Sequence, residues 1–414
     1  MVALIGVGGW IGSQRQSIAS VEQQSIVLRK HIASARSSGT TAAAGNSSKP
    51  SRDKSSSEKA PLDWKKIAGQ MIEMQKGDGI GDMRAVMHLQ QRLQEMSKEE
   101  LVSALDEIAA MDLSQESRAM LEQILMGPLI EKDPELALNR FIDRVGEKNG
   151  GFSWQLASAF GQWAQKEPEK AGLWFDQKIG DGIFDSKSLD GKSQARLQFE
   201  GSIMGILISS DPDAAARRMT SMPEDQRSEV LSGFTIHSVK EESQLAYADL
   251  VRSTVPEKDQ ARTISSLAGS LINGGGYEKV SEYLDRINAT PAERKQTVET
   301  NAEWKIRAMN RSKPVTREDI DSMREWVTAQ SPGSTDKVTG RALGNSLQGD
   351  KGIQFADAAA MAQQYSEASG NDEVIASFLE AQGKGDEANR EELRTLANKV
   401  SDEKRREKIL SRLK

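Results

Sequence analysis

The chain has 414 residues, a formal net charge of −6, 37% hydrophobic but only 5% aromatic side chains, and no cysteine. That length accommodates two or three ordinary domains or one long repeat array, and the lack of cysteine excludes disulfides, thiolate metal sites and cysteine nucleophiles. Residues 1–62 hold eight Lys/Arg against three Asp/Glu, so residues 63–414 carry −11, which argues against nucleic acid as a partner.

The first segment, 1–12, reads "MVALIGVGGWIG" and has no charge before Arg15. It is shorter than the roughly 20 apolar residues of a spanning helix, and it lacks the basic start and small-residue cleavage site of a signal peptide. Two readings stand: a truncated membrane anchor or signal, which is favoured, and a short apolar tip that packs on something else. The first implies membrane association through the N-terminus and a place at the membrane or in the cell envelope; the alternative location is the cytoplasm. In 13–35 a coiled-coil-like helix is expected. Ile11, Gln14, Ile18, Val21, Ser25, Leu28, Ile32 and Ala35 alternate spacings of three and four, as in a heptad seam. Self-association through 11–35 follows from that reading, and a lone amphipathic helix is the alternative. Residues 36–62 are rich in Ser, Gly, Ala and Lys with no apolar period, so they are expected to form a disordered linker.

From Asp63 onward helical patterns run nearly unbroken. Leu101, Leu105 and Ile108 make one apolar stripe and Leu121, Leu125 and Leu129 another; no alternating strand pattern is found. Within 63–310 the stripes recur. Pro134 is followed by Ala137 and Phe141, Pro168 by Ala171, Trp174 and Phe175, and Pro212 by Ala215 and Met219. Tyr277 leads Val280, Tyr283 and Leu284 at the same offsets, and a looser copy starts at Ser243 with Ala246 and Leu250. Offsets of three and seven share one helical face, so Ala137, Phe141, Ala171, Phe175, Ala215, Met219, Val280 and Leu284 are the expected packing residues between repeats. A second series begins at Pro223, Pro256 and Pro291, steps of 33 and 35. Proline followed by acids suits a helix start. Two interleaved series near 34 residues describe helix hairpins that must stack to bury their apolar faces.

"KDPELALNRF", "KEPEKAGLWF" and "SDPDAAARRM" resemble tetratricopeptide-like helical-hairpin repeats over about residues 130–310. The early Trp, the Leu-Gly and the later Tyr of that consensus are missing. The resemblance implies a superhelix that binds other proteins. The expected fold is therefore all-α: a right-handed superhelix, or solenoid, of antiparallel hairpins after a helical stalk and linker. Residues 311–414 are expected to form a C-terminal helical region. Glycine-rich breaks at 344–352 and 381–388 read there as loops, and the last helix, capped by Ser401, closes the array.

Chemical motifs are scarce. His31, His88 and His237 lie in no HExxH spacing, so neither a metal nor a cofactor is expected. "KGDGIGD" at 76–82 and "IGDGIFD" at 179–185 lack the distal Glu of a calcium loop and read as turns. Neither a P-loop nor a Gly-x-Ser-x-Gly elbow occurs, and an enzyme is not expected. Trp163, Trp174, Trp304 and Trp326 read as packing residues; Trp174 is the candidate to face a partner, because Phe175 can fill the core beside it. The function expected is a non-catalytic scaffold that binds a protein or peptide, with a basic segment the natural match for −11 of charge. The alternatives are a catalytic or polysaccharide-binding envelope domain and a structural, self-assembling stalk.

Overall fold

The computed structural model describes residues 62–75, 83–145, 151–186, 188, 190–347, 351–382 and 387–413. The expected anchor and coil, the linker as far as residue 61, His31 and the 76–82 turn lie outside them. Asp63–Lys414 is one compact unit. Among the described residues there are nineteen α-helices and no strand.

Three helices open the unit: α1 (Trp64–Gln75), α2 (Met83–Glu95) and α3 (Lys98–Ala110). Ser97 and Glu100 form a reciprocal capping box at the start of α3, which satisfies two otherwise orphaned backbone donors. The chain continues through α4 (Gln115–Lys132), α5 (Pro134–Phe141), α6 (Gly151–Lys166), α7 (Pro168–Gly180), α8 (Gln194–Ser210), α9 (Pro212–Ser221), α10 (Glu224–Ser232) and α11 (Gln244–Thr254). Next come α12 (Glu257–Arg286) and α13 (Pro291–Asn310). Gly276, at φ 68° and ψ −159°, divides α12 into helices 257–275 and 277–286. The remainder is α14 (Arg317–Gln330), α15 (Thr335–Asn345), α16 (Phe355–Ser369), α17 (Glu373–Gln382), α18 (Arg390–Ala397) and α19 (Glu403–Arg412).

The helices fall into two series. In the second series, each packs on the next: α4 on α6, α6 on α8, α8 on α10, α10 on α12, α12 on α13, α13 on α15, α15 on α17 and α17 on α19. The first series, α5, α7, α9, α11, 277–286, α14 and α16, fills the places between. Buried polar bonds stitch the second series together. Ser228 Oγ and Thr263 Oγ1 are 2.8 Å apart, Asn301 Nδ2 donates to Ser265 Oγ at 3.2 Å, and Asn310 Nδ2 donates to the Ser346 carbonyl at 3.1 Å. The partners are 35, 36 and 36 residues apart.

Proline sets four of the turns between helices. Asp133, Glu167, Asp211 and Ser331, each before a proline, share φ −137° to −154° and ψ 68° to 86°. Proline disfavours the helical region for its predecessor and then starts the next turn of helix without wasting a donor. Asp133 and Asp211 accept the backbone N–H groups of Leu136 and Ala214, each at 2.9 Å. The longer Glu167 makes no such cap; it accepts from Trp163 Nε1 at 3.0 Å and from Lys170.

Three details differ from the sequence reading. The looser copy starts at Gln244, after a 3-10 turn at Glu241–Ser243, so the fully buried pair is Tyr247 and Val251 rather than Ala246 and Leu250. Pro223 and Pro256 are extended residues that precede α10 and α12, whereas Pro291 is inside α13. Asp402 caps α19 by accepting from Arg405 N at 2.8 Å, while Ser401 hydrogen-bonds Asp372.

An apolar cluster extends from Leu197 to Leu413. Near its C-terminal end, backbones come very close: a Cβ added at Gly340 of α15 would sit 2.3 Å from the Val374 carbonyl oxygen and 2.7 Å from Phe378 N, both on α17. Only glycine permits that approach.

Candidate functional site

Every expected packing residue faces inward. Ala137, Ala171, Phe175, Ala215, Met219, Val280 and Leu284 are fully buried and Phe141 nearly so. Phe160, Phe175, Phe184 and Phe199 form a ring cluster with centroids 4.9 to 5.6 Å apart. The Arg218 guanidinium lies 5.0 Å from the Phe175 centroid and joins Glu200, which is buried, and Asp176 at 2.5 and 2.9 Å. Burial of Glu200 requires such a partner, because an unpaired charge there would be costly.

Trp174 does not protrude. It is half-buried, its ring lies 6.0 Å from Phe160 and 5.7 Å from Trp163, and its Nε1 donates to Asn139 Oδ1 at 2.8 Å. The adjacent Leu173, 73% exposed, is the side chain that α7 offers outward. Trp163 and Trp326 are buried, but Trp304 is 40% exposed, so it is no core residue. Trp154, 57% exposed, escaped the sequence reading. Its exposure depends on where the flanking helices lie.

The outward surface separates by charge. On the first series (α5, α7, α9, α11, 277–286, α14 and α16), twelve carboxylates are exposed against four Lys/Arg. On the second (α6, α8, α10, 257–275, α13, α15 and α17) the exposed residues are three carboxylates and five Lys/Arg. Five of the acids, Glu135, Glu169, Asp213, Glu278 and Glu318, occupy the same place, the second residue of successive first-series helices. An acid there favours the positive end of its helix, and all five remain open to solvent. Leu245 and Ala356 take that place on α11 and α16.

Other carboxylates serve the interior. Burial pushes the Glu293 carboxyl up, but the Arg252 guanidinium, at 2.8 and 3.0 Å, and the Thr290 backbone N–H hold it below its ordinary value. Burial wins at Glu303, whose carboxyl is raised despite Arg341 at 3.0 Å. Among the described residues, no group of three His, Asp or Glu could hold a metal ion, His88 and His237 are exposed, and no helix is long and apolar enough to cross a membrane. The chain matches no known family, no curated protein and no solved structure at a significant level.

Proposed function

We propose that residues 63–414 form a right-handed superhelix of helix hairpins and act as a non-catalytic scaffold that binds an extended, basic segment of another protein. The observation that carries this is the row of equivalent carboxylates, Glu135, Glu169, Asp213, Glu278 and Glu318, on a first-series face with twelve exposed acids against four bases. The 34- to 36-residue spacing of the buried interhelical bonds supports the stacking of like units.

The row also suggests the form of the partner. A segment lying across these helices meets several carboxylates in succession, interrupted at Leu245 of α11, so a chain carrying several Lys or Arg residues is the best match. Such pairs are exposed and individually weak; several together give an affinity that falls steeply with salt.

The test is affinity capture with the tagged full-length chain at low and high salt, beside a variant with Glu135, Glu169, Asp213, Glu278 and Glu318 all changed to Lys. A partner retained at low salt by the parent and lost by the variant supports the reading. Equal retention by both proteins sinks it. A second reading, binding of a neutral glycan, draws on exposed Trp154 and on Trp304, which shares a stripe of α13 with Thr300 and Gln296, themselves bonded at 2.9 Å. Retention on insoluble polysaccharide that disappears on Trp304→Ala would favour it.

A further inference from the structure

One joint in the array contrasts with the three that proline builds. Three turns from a second-series to a first-series helix, at Asp133–Pro134, Glu167–Pro168 and Asp211–Pro212, share one backbone geometry, and proline fixes it. The corresponding turn in α12 is Gly274-Gly275-Gly276, with Gly276 at φ 68° and ψ −159°, a region open essentially to glycine alone. Asn273, Gly274 and Gly275 are exposed, and nothing lies within 4 Å of where a Cβ would stand at Gly274 or Gly276. The Lys279 side chain lies against Gly275, and Lys305 of α13 donates to the Ile272 carbonyl just before the turn at 3.4 Å.

Opposite the turn, one side chain spans the joint. Arg252 of α11 reaches past helix 277–286. It donates to the Ile287 carbonyl at 3.0 Å and forks onto both oxygens of Glu293, on α13, at 3.0 and 2.8 Å. The remaining link between α11 and 277–286 made by side chains at the surface is Arg286, which meets Gln244 at 2.5 Å and also Glu241. Meanwhile Asn301 and Ser265 pin the second series across the same joint.

We propose that this joint is a hinge with a latch: Gly274–Gly276 is the pivot about which helix 277–286 swings away from α11, and Arg252, oriented by Glu293 and bonded to the Ile287 carbonyl at the end of that helix, holds it closed together with Arg286 on Gln244. The second series acts as the fixed spine. Opening displaces Glu278, Glu282 and Asp285 relative to Asp249, so a ligand on the acidic face would be accommodated at this joint rather than uniformly along the chain. The inference does not depend on what that ligand is.

The absence of cysteine makes the test direct. Spin labels at Ser253→Cys and Glu278→Cys of the full chain report across the joint, and labels at Asp213→Cys and Ser253→Cys report within one side of it. The cross-joint distance distribution is expected to be at least twofold broader than the control. Gly274→Ala, which meets no atom, should narrow it, and the pair Arg252→Met with Glu293→Gln, which keeps the capping side chain at 293, should broaden it or shift it outward. Equal widths in the two label pairs overturn the proposal, as does a cross-joint width unchanged in both variants. Circular dichroism on each variant separates loss of the latch from loss of the fold.

Discussion

The hairpins of α5–α8 and those of α15–α17 follow the same plan and fill their interiors in opposite ways. In the first region six rings, Phe160, Trp163, Trp174, Phe175, Phe184 and Phe199, occupy the space between helices. In the second, Gly340, Ala342 and Gly344 of α15 and Ala376 and Ser377 of α17 are buried, and the backbones touch. Large side chains hold helices apart and gain area; small ones bring them together and gain dispersion contacts along the backbone. The same alternation of helices therefore accommodates two quite different fillings.

The two regions should respond oppositely to a change in volume. Phe175→Ala in the aromatic region removes a fully buried ring and should cost about 3–5 kcal/mol in denaturant unfolding; a loss under 1 kcal/mol would mean that the cluster is loosely filled. Between the regions, Glu293→Gln should cost about 1.5–3 kcal/mol at pH 7 through the lost charged hydrogen bonds. Because the folded Glu293 carboxyl lies below its ordinary 4.5, its contribution is complete above pH 4.5 and disappears as the pH falls below it. Melting temperatures of parent and variant should converge on acidification. Glu303, raised in the fold, acts in the reverse sense: stability declines as the pH rises from 4.5 through its folded value.

In the small-residue region the damaging change is an addition. Gly340→Ala places a methyl against backbone atoms of α17 and should cost about 1–3 kcal/mol, although alanine favours a helix by about 1 kcal/mol. Stabilisation by this substitution would refute the close approach. Gly69→Ala in α1, where a Cβ meets nothing, supplies the matched control and should gain about 0.5–1 kcal/mol. Asn139→Ala removes the acceptor of the Trp174 indole; the expected loss is about 1 kcal/mol, with a change in tryptophan emission that an unaltered spectrum would contradict.

Much of the plan was legible because proline announces helix starts. Pro134, Pro168, Pro212 and Pro291 each stand at the first helical position, so the two series could be phased from sequence. Where no proline stood, at Ser243, the phase slipped by one residue, since the 3-10 turn before Gln244 leaves no compositional mark. The α15–α17 contact was illegible for another reason. Glycine reads as a break, yet Gly344, taken as the start of a loop, is buried within α15, and only the partner helix explains it. Surface placement was least legible: Leu173 and Trp174 are sequence neighbours, and three-dimensional context alone exposes one and covers the other.

The interhelical bonds of the second series also bear on how the chain folds. Ser228 to Thr263, Ser265 to Asn301 and Asn310 to Ser346 each close a loop of 35 or 36 residues, however long the chain around them. Closure entropy grows only with the logarithm of loop length, so each added hairpin meets the same modest barrier as the last. Contacts this local favour rapid folding.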